Sequence, residues 1–322
     1  MLFILFFSHP FIIKQAILIK FLILNCPKLI ECTPIVVFVY KRLNSLQKCL
    51  ESLMLNSSVS EIELFIFSDG AKNESSVKQV IEVRQYLKRI EGFKSIVIYE
   101  SEVNNGLAKS VIDGVTRMFK TYNQIIVLED DLIVSSNFFS YMNQSLMCYK
   151  NHREIISISG YKPPFFLDET YDKDVFFARR NTSWGWATWK DRWELLDWDI
   201  IEKGTVLNTF RKKYNFFQLG ANLLPMYYKQ KNRKIDSWSI RFTLNQYKLN
   251  MYTVYPVLNK VINIGFGDDA THTLKNEGFN EELDTTNTTE FNFSSVVEEI
   301  PSISTKFYKE YSLLKKIKNI IK

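Results

Sequence analysis

The sequence has no apolar run long enough to span a membrane. Its longest unbroken apolar stretch, residues 1–7, falls far short of the roughly 20 residues that a spanning helix needs. A secretory signal peptide carries its positive charge before the apolar core, and residues 1–24 do not follow that order. We therefore treat residues 1–32 as an apolar N-terminal extension. It either lies in a membrane interface or is dispensable to the domain that follows.

The sequence also lacks a cysteine framework and a strong charge of either sign. Its four cysteines show neither zinc-ligand spacing nor the density of a disulfide scaffold, which favours a reducing compartment. The net charge of +6 is modest, and no basic block interleaved with aromatic residues runs through the middle of the 322 residues. This composition argues against a nucleic-acid partner. Mild basicity suits an anionic diphosphate substrate or an anionic membrane surface.

Apolar strand-like runs alternate with helix-like runs over the first half of the chain. Strands are predicted at 34–40, 63–68, 95–99, 124–128 and 155–159, and helices at 43–55, 75–90, 107–119 and 138–149. Near-continuous apolar strands separated by helices predict an α/β fold, with a mostly parallel sheet flanked by helices on both faces. The second half is less regular, with helices predicted over 210–231 and 237–248 and two short strands within 251–264.

Charged residues follow three of the predicted strands. Arg42, Asp69 and the triplet Glu129-Asp130-Asp131 each come just after a strand end, where parallel sheets bind their ligands. Three adjacent carboxylates repel one another unless a cation is present. Mg²⁺ and Mn²⁺ prefer one or two carboxylates, with substrate phosphate completing the coordination sphere. The triplet therefore predicts a binding site for a metal and a diphosphate. The alternative is a solvated turn that caps the next helix.

These motifs resemble a known enzyme family. Residues 125–132, Ile-Ile-Val-Leu-Glu-Asp-Asp-Leu, look like the metal-binding element of GT-A glycosyltransferases, in the Glu-Asp-Asp form of the N-acetylglucosaminyltransferase I-like family and its bacterial sugar transferase relatives. Residues 34–42, 67–70 and 104–110 resemble other parts of that family in the same order. The resemblance covers roughly residues 33–270. It implies a Rossmann-like GT-A domain with a C-terminal elaboration on the acceptor side.

The resemblance also implies roles for individual residues near the donor. Asp131 would bind Mn²⁺ or Mg²⁺, and Asp130 and Glu129 would touch the sugar or ribose. Arg42 would contact the nucleotide, and Asp69 would contact its base. Without the resemblance, Asp69-Gly70 would be interpreted as an ordinary turn and Arg42 as a solvated side chain. The donor-side loop and helix start include Asn105 and Lys109, where free N–H groups and the positive helix end could face an anion.

Four tryptophans occur within residues 184–193. Indole rings stack on sugar surfaces, and the family places a similar Trp-Gly-Trp region beside the donor sugar and acceptor. We predict site roles for Trp184 and Trp186, with Gly185 permitting a close backbone approach. Trp189 and Trp193, spaced four residues apart, are expected to pack into the core from a helix.

Two further residues complete the predicted site. An inverting transfer needs a general base that takes the proton of the acceptor hydroxyl. Asp236, in a segment that resembles the family's Asp-x-Trp element, is the predicted base; the alternative is a helix N-cap. His272 resembles a residue that faces the nucleotide phosphates in some relatives, and the alternative is a structural histidine.

The function implied is inverting, metal-dependent sugar transfer from a nucleotide diphosphate sugar, with a UDP-sugar favoured, to a glycan or lipid-linked glycan. The rivals are a sugar nucleotidyltransferase, which would carry a Gly-rich loop after the first strand, and a non-catalytic sugar-binding or assembly protein of the same fold. Residues 271–305 look like a flexible polar tail. Residues 306–322 predict a basic amphipathic helix, which either lies on anionic lipid or packs on the domain. A bacterial cell-surface polysaccharide pathway, at the cytoplasmic face of the membrane, fits these expectations.

Overall fold

The computed structural model describes residues 33–265 and 282–315, and the account that follows concerns those residues. The predicted N-terminal extension, His272 and the last residues of the predicted C-terminal helix lie outside them. Within the described ranges, no helix combines the length and the apolar character needed to cross a bilayer.

An eight-stranded sheet forms the centre of the domain. Its strands are β1 (Ile35–Val39), β2 (Glu63–Ser68), β3 (Ser95–Glu100), β4 (Gln124–Glu129), β6 (Ile155–Ser159), β7 (Val175–Ala178), β8 (Trp186–Trp189) and β9 (Tyr252–Pro256). They lie in the order β3-β2-β1-β4-β8-β6-β9-β7. Only β8 and β7 run antiparallel to their neighbours. The predicted mostly parallel sheet is therefore confirmed, and the carboxyl ends of six strands share one edge.

Helices connect the strands as the sequence pattern predicts. The longer ones are α1 (Leu43–Met54), α2 (Glu74–Leu87), α3 (Leu107–Met118) and α4 (Phe138–Tyr149) in the first half. In the second half are the short α5 (Lys190–Trp193) and α6 (Ile200–Lys203), then α7 (Phe210–Gln218), α8 (Leu223–Lys231), α9 (Trp238–Leu249) and α10 (Pro301–Glu310). Every residue of β1 is buried, as expected of a central parallel strand covered on both faces. One face of the sheet packs a core against buried residues of α3 and α9.

A second, two-stranded sheet lies next to the acidic triplet. Strand β5 (Leu132–Val134) follows the triplet directly and pairs antiparallel with β10 (Val261–Asn263). The turn between β4 and β5 therefore carries Asp130 and Asp131. The backbone N–H of Ile264, just after β10, donates to the Asp131 carbonyl at 2.9 Å and holds the turn from the other side.

Two predicted helices need correction. Residues 210–231 form two helices, α7 and α8, because the chain turns at Gly220. There the Arg180 guanidinium packs against the backbone, and a Cβ at position 220 would lie 2.0 Å from Arg180 Nη1. The predicted helix that contains both Trp189 and Trp193 is wrong for Trp189. That residue ends strand β8, and the short helix α5 begins after it and contains Trp193. Both Trp189 and Trp193 are nevertheless buried, as predicted.

The described part of the predicted polar tail packs on the domain. Residues 282–300 contain no helix or strand, but Phe291 and Phe293 contact the rings of Tyr141 and Tyr149. This segment is therefore not the flexible tail that its composition suggests, because its aromatic residues have apolar partners.

The C-terminal helix begins earlier than predicted. It begins at Pro301, with proline in the first turn where its missing N–H is not needed, and ends at Glu310. Ile303 and Phe307 are buried in a cluster with Phe176 and Tyr255, so the described helix packs on the domain. A second helical stretch begins at Leu313, and the side chains of Leu313 and Leu314 are exposed.

A buried ion pair fastens residues 282–286 to the domain. The Lys260 ammonium bonds the Asp284 carboxylate, which also accepts from Asn137 at 2.9 Å and from the Thr286 N–H at 2.8 Å. Burial alone would raise the pKa of Asp284, but these partners outweigh it and lower the pKa from 3.8 to about 2. Burial also lowers the pKa of Lys260. The pair thus stabilises the fold only while Asp284 is ionised.

The Asp284→Asn substitution should lower the free energy of unfolding by about 3 kcal/mol at pH 7, because Lys260 would remain buried without a counter-ion. A carboxylate whose pKa is lower in the folded than in the unfolded state stabilises the fold above its unfolded-state pKa. This stabilisation is lost as the pH falls through the folded-state pKa. The difference in the free energy of unfolding between Asp284→Asn and the parent chain should therefore narrow as the pH falls from about 4 to about 2. Urea unfolding over that pH range measures it.

Asp168→Asn is the matched control, since Asp168 pairs with Lys306 at 2.6 Å while both side chains are more than a third exposed. Its expected cost is under about 1 kcal/mol. Equal costs for the two variants at pH 7 would contradict the stabilising role of the buried pair.

Candidate functional site

Arg42 links the acidic triplet to the end of β1. It stands immediately before α1, and its guanidinium bonds Asp130 Oδ1 through Nη2 and Asp131 Oδ2 through Nη1, the latter at 2.9 Å. Asp130 Oδ2 also accepts the backbone N–H of Tyr40 at 3.2 Å. The neighbouring parallel strands β1 and β4 thus end in one network, as the sequence predicts for Arg42, Asp130 and Asp131.

The network is strongly charged and little exposed. Burial raises the pKa of both the Glu129 and the Asp130 carboxyl, and Asp131 adds to each by charge repulsion. Burial would lower the pKa of Arg42, but Asp130 and Asp131 outweigh that effect and raise it above its ordinary value. The single positive charge of Arg42 therefore offsets only part of the negative charge that the three carboxyl groups can carry.

Asp131 has an unused carboxylate oxygen. Its Oδ2 faces Arg42, whereas Oδ1 is buried and forms no hydrogen bond within the described part of the chain. Gly265 packs against the same carboxylate so closely that a side chain at 265 would collide with it. Among the described residues, no group of three His, Cys, Asp or Glu side chains could hold a metal. A cation bound here would take Asp131 Oδ1 and find its other ligands on substrate and water.

Asp69 organises the loop before α3. Its Oδ1 accepts the N–H groups of Gly70 and Asn105 at 2.9 and 2.8 Å. Its Oδ2 accepts from the Asn104 side chain at 3.1 Å and from the Gly106 N–H at 2.9 Å. Asp69 is thus at the predicted edge, but its four bonds fill its acceptor positions. The amides of Asn105 and Gly106, predicted to face an anion, are already bonded to this carboxylate.

Lys109 lies in the first turn of α3 and points into solvent. It forms an ion pair with Asp113, one turn further along the helix, and both side chains are 59% exposed. It stands on the helix that begins at the site edge, and nothing in its contacts joins it to the acidic turn.

Arg84 is a structural residue of this edge that the sequence did not indicate. From α2 its Nη2 donates to the carbonyl oxygens of Ser68, Asp69 and Ser101, the last at 2.7 Å. It therefore binds the carboxyl ends of β2 and β3 together. Its position in an ordinary amphipathic helix gave no signal of this role.

The Trp184-Gly185 segment reaches the same edge from the antiparallel strand β8. Trp186 pairs with Val127 of β4, so the two residues before it run alongside the end of β4. Trp184 is half-buried, and its ring centroid lies 4.4 Å from that of Tyr161. Gly185 has φ +58°, and its carbonyl accepts the Gly160 N–H at 2.7 Å.

The predicted site role of Trp186 is wrong. Its side chain is 2% exposed and lies in the core, with ring centroids 4.9 Å from Trp238 and 5.9 Å from Trp193. Its neighbour Trp184 is the tryptophan that remains accessible. Residues two apart in a regular strand point to the same face, but Gly185 has φ +58° and β8 begins only at Trp186, so the alternation does not extend to Trp184.

Asp236 precedes helix α9 without capping it. The cap is Ser237, whose hydroxyl accepts the Ile240 N–H at 3.4 Å. The Asp236 side chain is 58% exposed, and its Oδ1 bonds Arg241 Nη2 at 2.7 Å. Two residues later, Trp238 stacks on Trp186, which places the start of α9 against the core beside β4 and β8. The N-cap alternative for Asp236 is therefore removed.

Gly185→Ala should lower the free energy of unfolding by about 3 kcal/mol, because the added methyl group causes both left-handed backbone strain and overpacking. A Cβ at this position would lie 2.6 Å from Val261 Cγ2 and 3.3 Å from Leu128 Cδ2. Gly92 supplies the control, since it has φ +95° and no atom within 4 Å of the added Cβ. Gly92→Ala should lose only about 1 kcal/mol, from strain. Equal losses in chemical denaturation would show that the packing around Gly185 is not close.

Comparison with solved structures gives remote matches. The mannosyltransferase PcManGT from Pyrobaculum calidifontis, solved with GDP-Man and Mn²⁺, is 10% identical, with a TM-score of 0.34 and coverage of 54% of this chain and 46% of that one. TarS residues 1–349 from S. aureus are 11% identical, with a TM-score of 0.36 and coverage of 70% and 60%. The chain thus spans less than two thirds of either structure. No curated protein matches the sequence.

Comparison with protein families gives a match over much of the chain. The model of the GNT-I family matches residues 14–197, more than half of the sequence. The matched region contains strands β1 to β4, the acidic turn with Arg42, and the Trp184-Gly185 segment. The chain therefore belongs to the GNT-I family and has an α/β fold.

Proposed function

We propose that the protein transfers a sugar, with inversion at C1, from a nucleotide diphosphate sugar to a glycan hydroxyl, and that the transfer requires Mn²⁺ or Mg²⁺. The observation that carries this proposal is the unpaired, buried Oδ1 of Asp131 at the carboxyl edge of the sheet. A carboxylate oxygen without a partner is unfavourable in a buried position, so this position favours a ligand that supplies positive charge.

The donor set of this turn fits a hard divalent cation. Asp131 contributes one carboxylate oxygen, and Mg²⁺ sites commonly use one or two carboxylates together with substrate phosphates and water. The turn is also too acidic to attract a diphosphate without help, because Arg42 already bonds Asp130 and Asp131. When bound, the metal supplies positive charge that stabilises the departing diphosphate.

Arg42 is the residue best placed to respond to the donor. Its guanidinium bridges the two aspartates while 17% of its side chain is exposed. We propose that it keeps Asp130 and Asp131 in position and contributes charge toward the nucleotide. Glu129 and Asp130 are proposed to contact the sugar or ribose. Asp69 would then act on the donor indirectly, by fixing residues 104–106.

Trp184 and Asp236 are proposed to serve the acceptor side. The half-buried indole of Trp184, supported by Tyr161, offers an apolar face on which a sugar ring can stack. Asp236 is accessible and ionisable, and it is held by Arg241. In this proposal its carboxylate takes the proton from the acceptor hydroxyl as that oxygen attacks C1. His272 keeps its proposed role near the phosphates and lies outside the described residues.

The cellular setting is also a proposal. Residues 306–322 contain six lysines, which would suit peripheral contact with an anionic cytoplasmic membrane face. A lipid-linked glycan acceptor in bacterial cell-surface polysaccharide synthesis fits such a location. UDP release from a panel of nucleotide sugars, with and without Mn²⁺, tests the donor and distinguishes transfer from nucleotidyl transfer and from simple sugar binding.

Asp131→Ala should reduce sugar transfer at least about a hundredfold, because charge stabilisation of the leaving diphosphate is lost. It should also abolish Mn²⁺ binding measured directly by electron paramagnetic resonance in the presence of UDP. The fold should persist, because Arg42 keeps Asp130 as a partner. Asp113→Ala, at an exposed position on α3, is the control. Full Mn²⁺ binding and full activity in Asp131→Ala would remove the metal assignment.

Asp236→Asn should reduce turnover by about a hundredfold or more while the KM for the donor stays within about twofold, as expected when a general base is lost. Ser237→Ala is the matched control: removal of this cap should lower stability by about 1 kcal/mol but leave turnover unchanged. If Asp236→Asn behaves like Ser237→Ala, the aspartate is structural.

A further inference from the structure

The positive charge of the chain is concentrated in residues 204–235. This segment contains no aspartate or glutamate and seven basic residues, Arg211, Lys212, Lys213, Lys229, Lys231, Arg233 and Lys234. It thus contributes +7 to a chain whose net charge is +6, and all other residues together carry −1. The segment also contains six phenylalanines and tyrosines. A basic block with aromatic residues therefore lies after the middle of the chain, where the sequence pattern did not predict one.

These basic residues are available to a partner. They lie on α7, on α8 and in the turn after α8, and all except the half-buried Lys213 are exposed. The acidic residues that flank the segment are paired elsewhere: Asp197 with Lys203 at 2.8 Å and Asp236 with Arg241 at 2.7 Å. Within the described ranges, none of the seven forms an ion pair. Like charges on one surface repel one another, so this surface favours an anionic partner.

Helix α7 also presents aromatic rings to solvent. Its buried residue, Phe216, packs in an apolar cluster with residues of α6, α8 and α9. Phe210 and Tyr214 lie one turn apart on the opposite, outward face and are 84% and 53% exposed. Their ring centroids are 6.5 Å apart, and the ring planes differ by 17°. Single exposed apolar side chains are common, but here a stacked pair stands beside Arg211 on a basic helix.

Arg233 occupies a backbone position that favours glycine. Helix α8 ends at Lys231, and Arg233 follows with φ +55°. A residue with a Cβ is strained in this left-handed region, whereas glycine is not. Because the Arg233 side chain is exposed, burial does not compensate for the strain. Its guanidinium remains available for a contact outside the chain.

The C-terminal segment adjoins the same two helices. The Ala221 N–H, in the turn between α7 and α8, donates to the Tyr311 carbonyl at 2.9 Å. Shortly after Tyr311, the side chains of Leu313 and Leu314 are 53% and 74% exposed. Aromatic rings can stack on nucleic-acid bases, but leucine cannot. Aromatic and aliphatic side chains both enter the interface of a bilayer, so the combination favours lipid.

A second copy of the chain fits this surface less well. A two-fold contact between copies uses the same surface twice, and it would bring seven positive charges against seven.

We propose that α7, α8 and the turn after α8 form a lipid-binding surface. The rings of Phe210 and Tyr214 enter the interface of an anionic membrane, and the seven basic residues contact its phosphate headgroups. This inference rests on the proposed peripheral membrane location, which so far involved only residues 306–322, and not on the proposed sugar transfer.

The position of α7 in the fold is compatible with the proposed donor site. Residues of α7 line one hollow together with Arg179, which follows β7, and Asn250, which precedes β9. Because β9 runs parallel to β6 and antiparallel to β7, Arg179 and Asn250 lie at the amino edge of the sheet. The acidic turn lies at the opposite edge, so a membrane at α7 would not place it against anionic headgroups.

Vesicle co-sedimentation with the full chain tests the proposal. The probes are vesicles of phosphatidylcholine and vesicles of equal parts phosphatidylcholine and phosphatidylglycerol. The chain should bind the anionic vesicles at least about tenfold more tightly, and added salt should weaken this binding because it screens the charges. Phe210→Ser/Tyr214→Ser should weaken it roughly tenfold, because two rings lose their contact with the interface.

Arg233→Gly should weaken binding to the anionic vesicles roughly fivefold. Its free energy of unfolding should stay the same or rise, because glycine relieves the backbone strain. Phe166→Ser, at a 92% exposed position, is the control for removal of an aromatic ring. Lys78→Gln, at an 89% exposed position on α2, is the control for removal of a charge. Both controls should bind vesicles as the parent chain does.

Failure to prefer anionic vesicles would overturn the proposal. So would binding that the α7 and Arg233 variants leave unchanged, since the contact would then belong to other residues. A single-stranded oligonucleotide that binds as tightly as the anionic vesicles and displaces them would replace lipid with nucleic acid as the partner. Asp131→Ala should bind vesicles normally, so a failure of the proposed transfer is distinguishable from a failure of this inference.

Discussion

The contact on which this domain edge depends is the bridge from Arg42 to Asp130 and Asp131. Carboxylates on adjacent residues of a buried turn repel one another, and burial raises the pKa values of Glu129 and Asp130 further. A guanidinium is suited to such a position, because its planar fork can bond two carboxylates at once. The bridge also joins the end of β1 to the turn after β4, so the same contact that balances charge fixes the geometry of the site.

The remainder of the edge is arranged around that bridge by backbone and side-chain bonds from three directions. Asp69 uses its whole carboxylate to hold the loop before α3, and Arg84 ties the ends of β2 and β3. From the other side, β10 supports the acidic turn, and the Lys260–Asp284 pair secures the chain that follows. Several charged groups of this region are thus occupied in holding the loops. Asp131 differs, since its Oδ1 has no hydrogen-bond partner among the described residues.

The two edges of the sheet have opposite character. The carboxyl edge is acidic and closely packed, and it is the edge at which we propose that a metal and a diphosphate bind. The amino edge carries a basic cavity lined in part by Arg179, Lys212 and Lys248.

The sequence by itself determined the alternating β/α order and the convergence of Arg42 and the acidic triplet, because apolar periodicity and strand direction are local properties. It also placed Trp189 and Trp193 in the core. Only the tertiary structure decided between Trp184 and Trp186, since burial depends on which helix packs over a strand, and α9 covers Trp186. Likewise, only the tertiary structure shows that the Asp69 carboxylate holds the loop before α3 and that one oxygen of Asp131 has no hydrogen-bond partner among the described residues. Hydrogen-bond partners distant in sequence leave no local pattern, so they could not be foreseen.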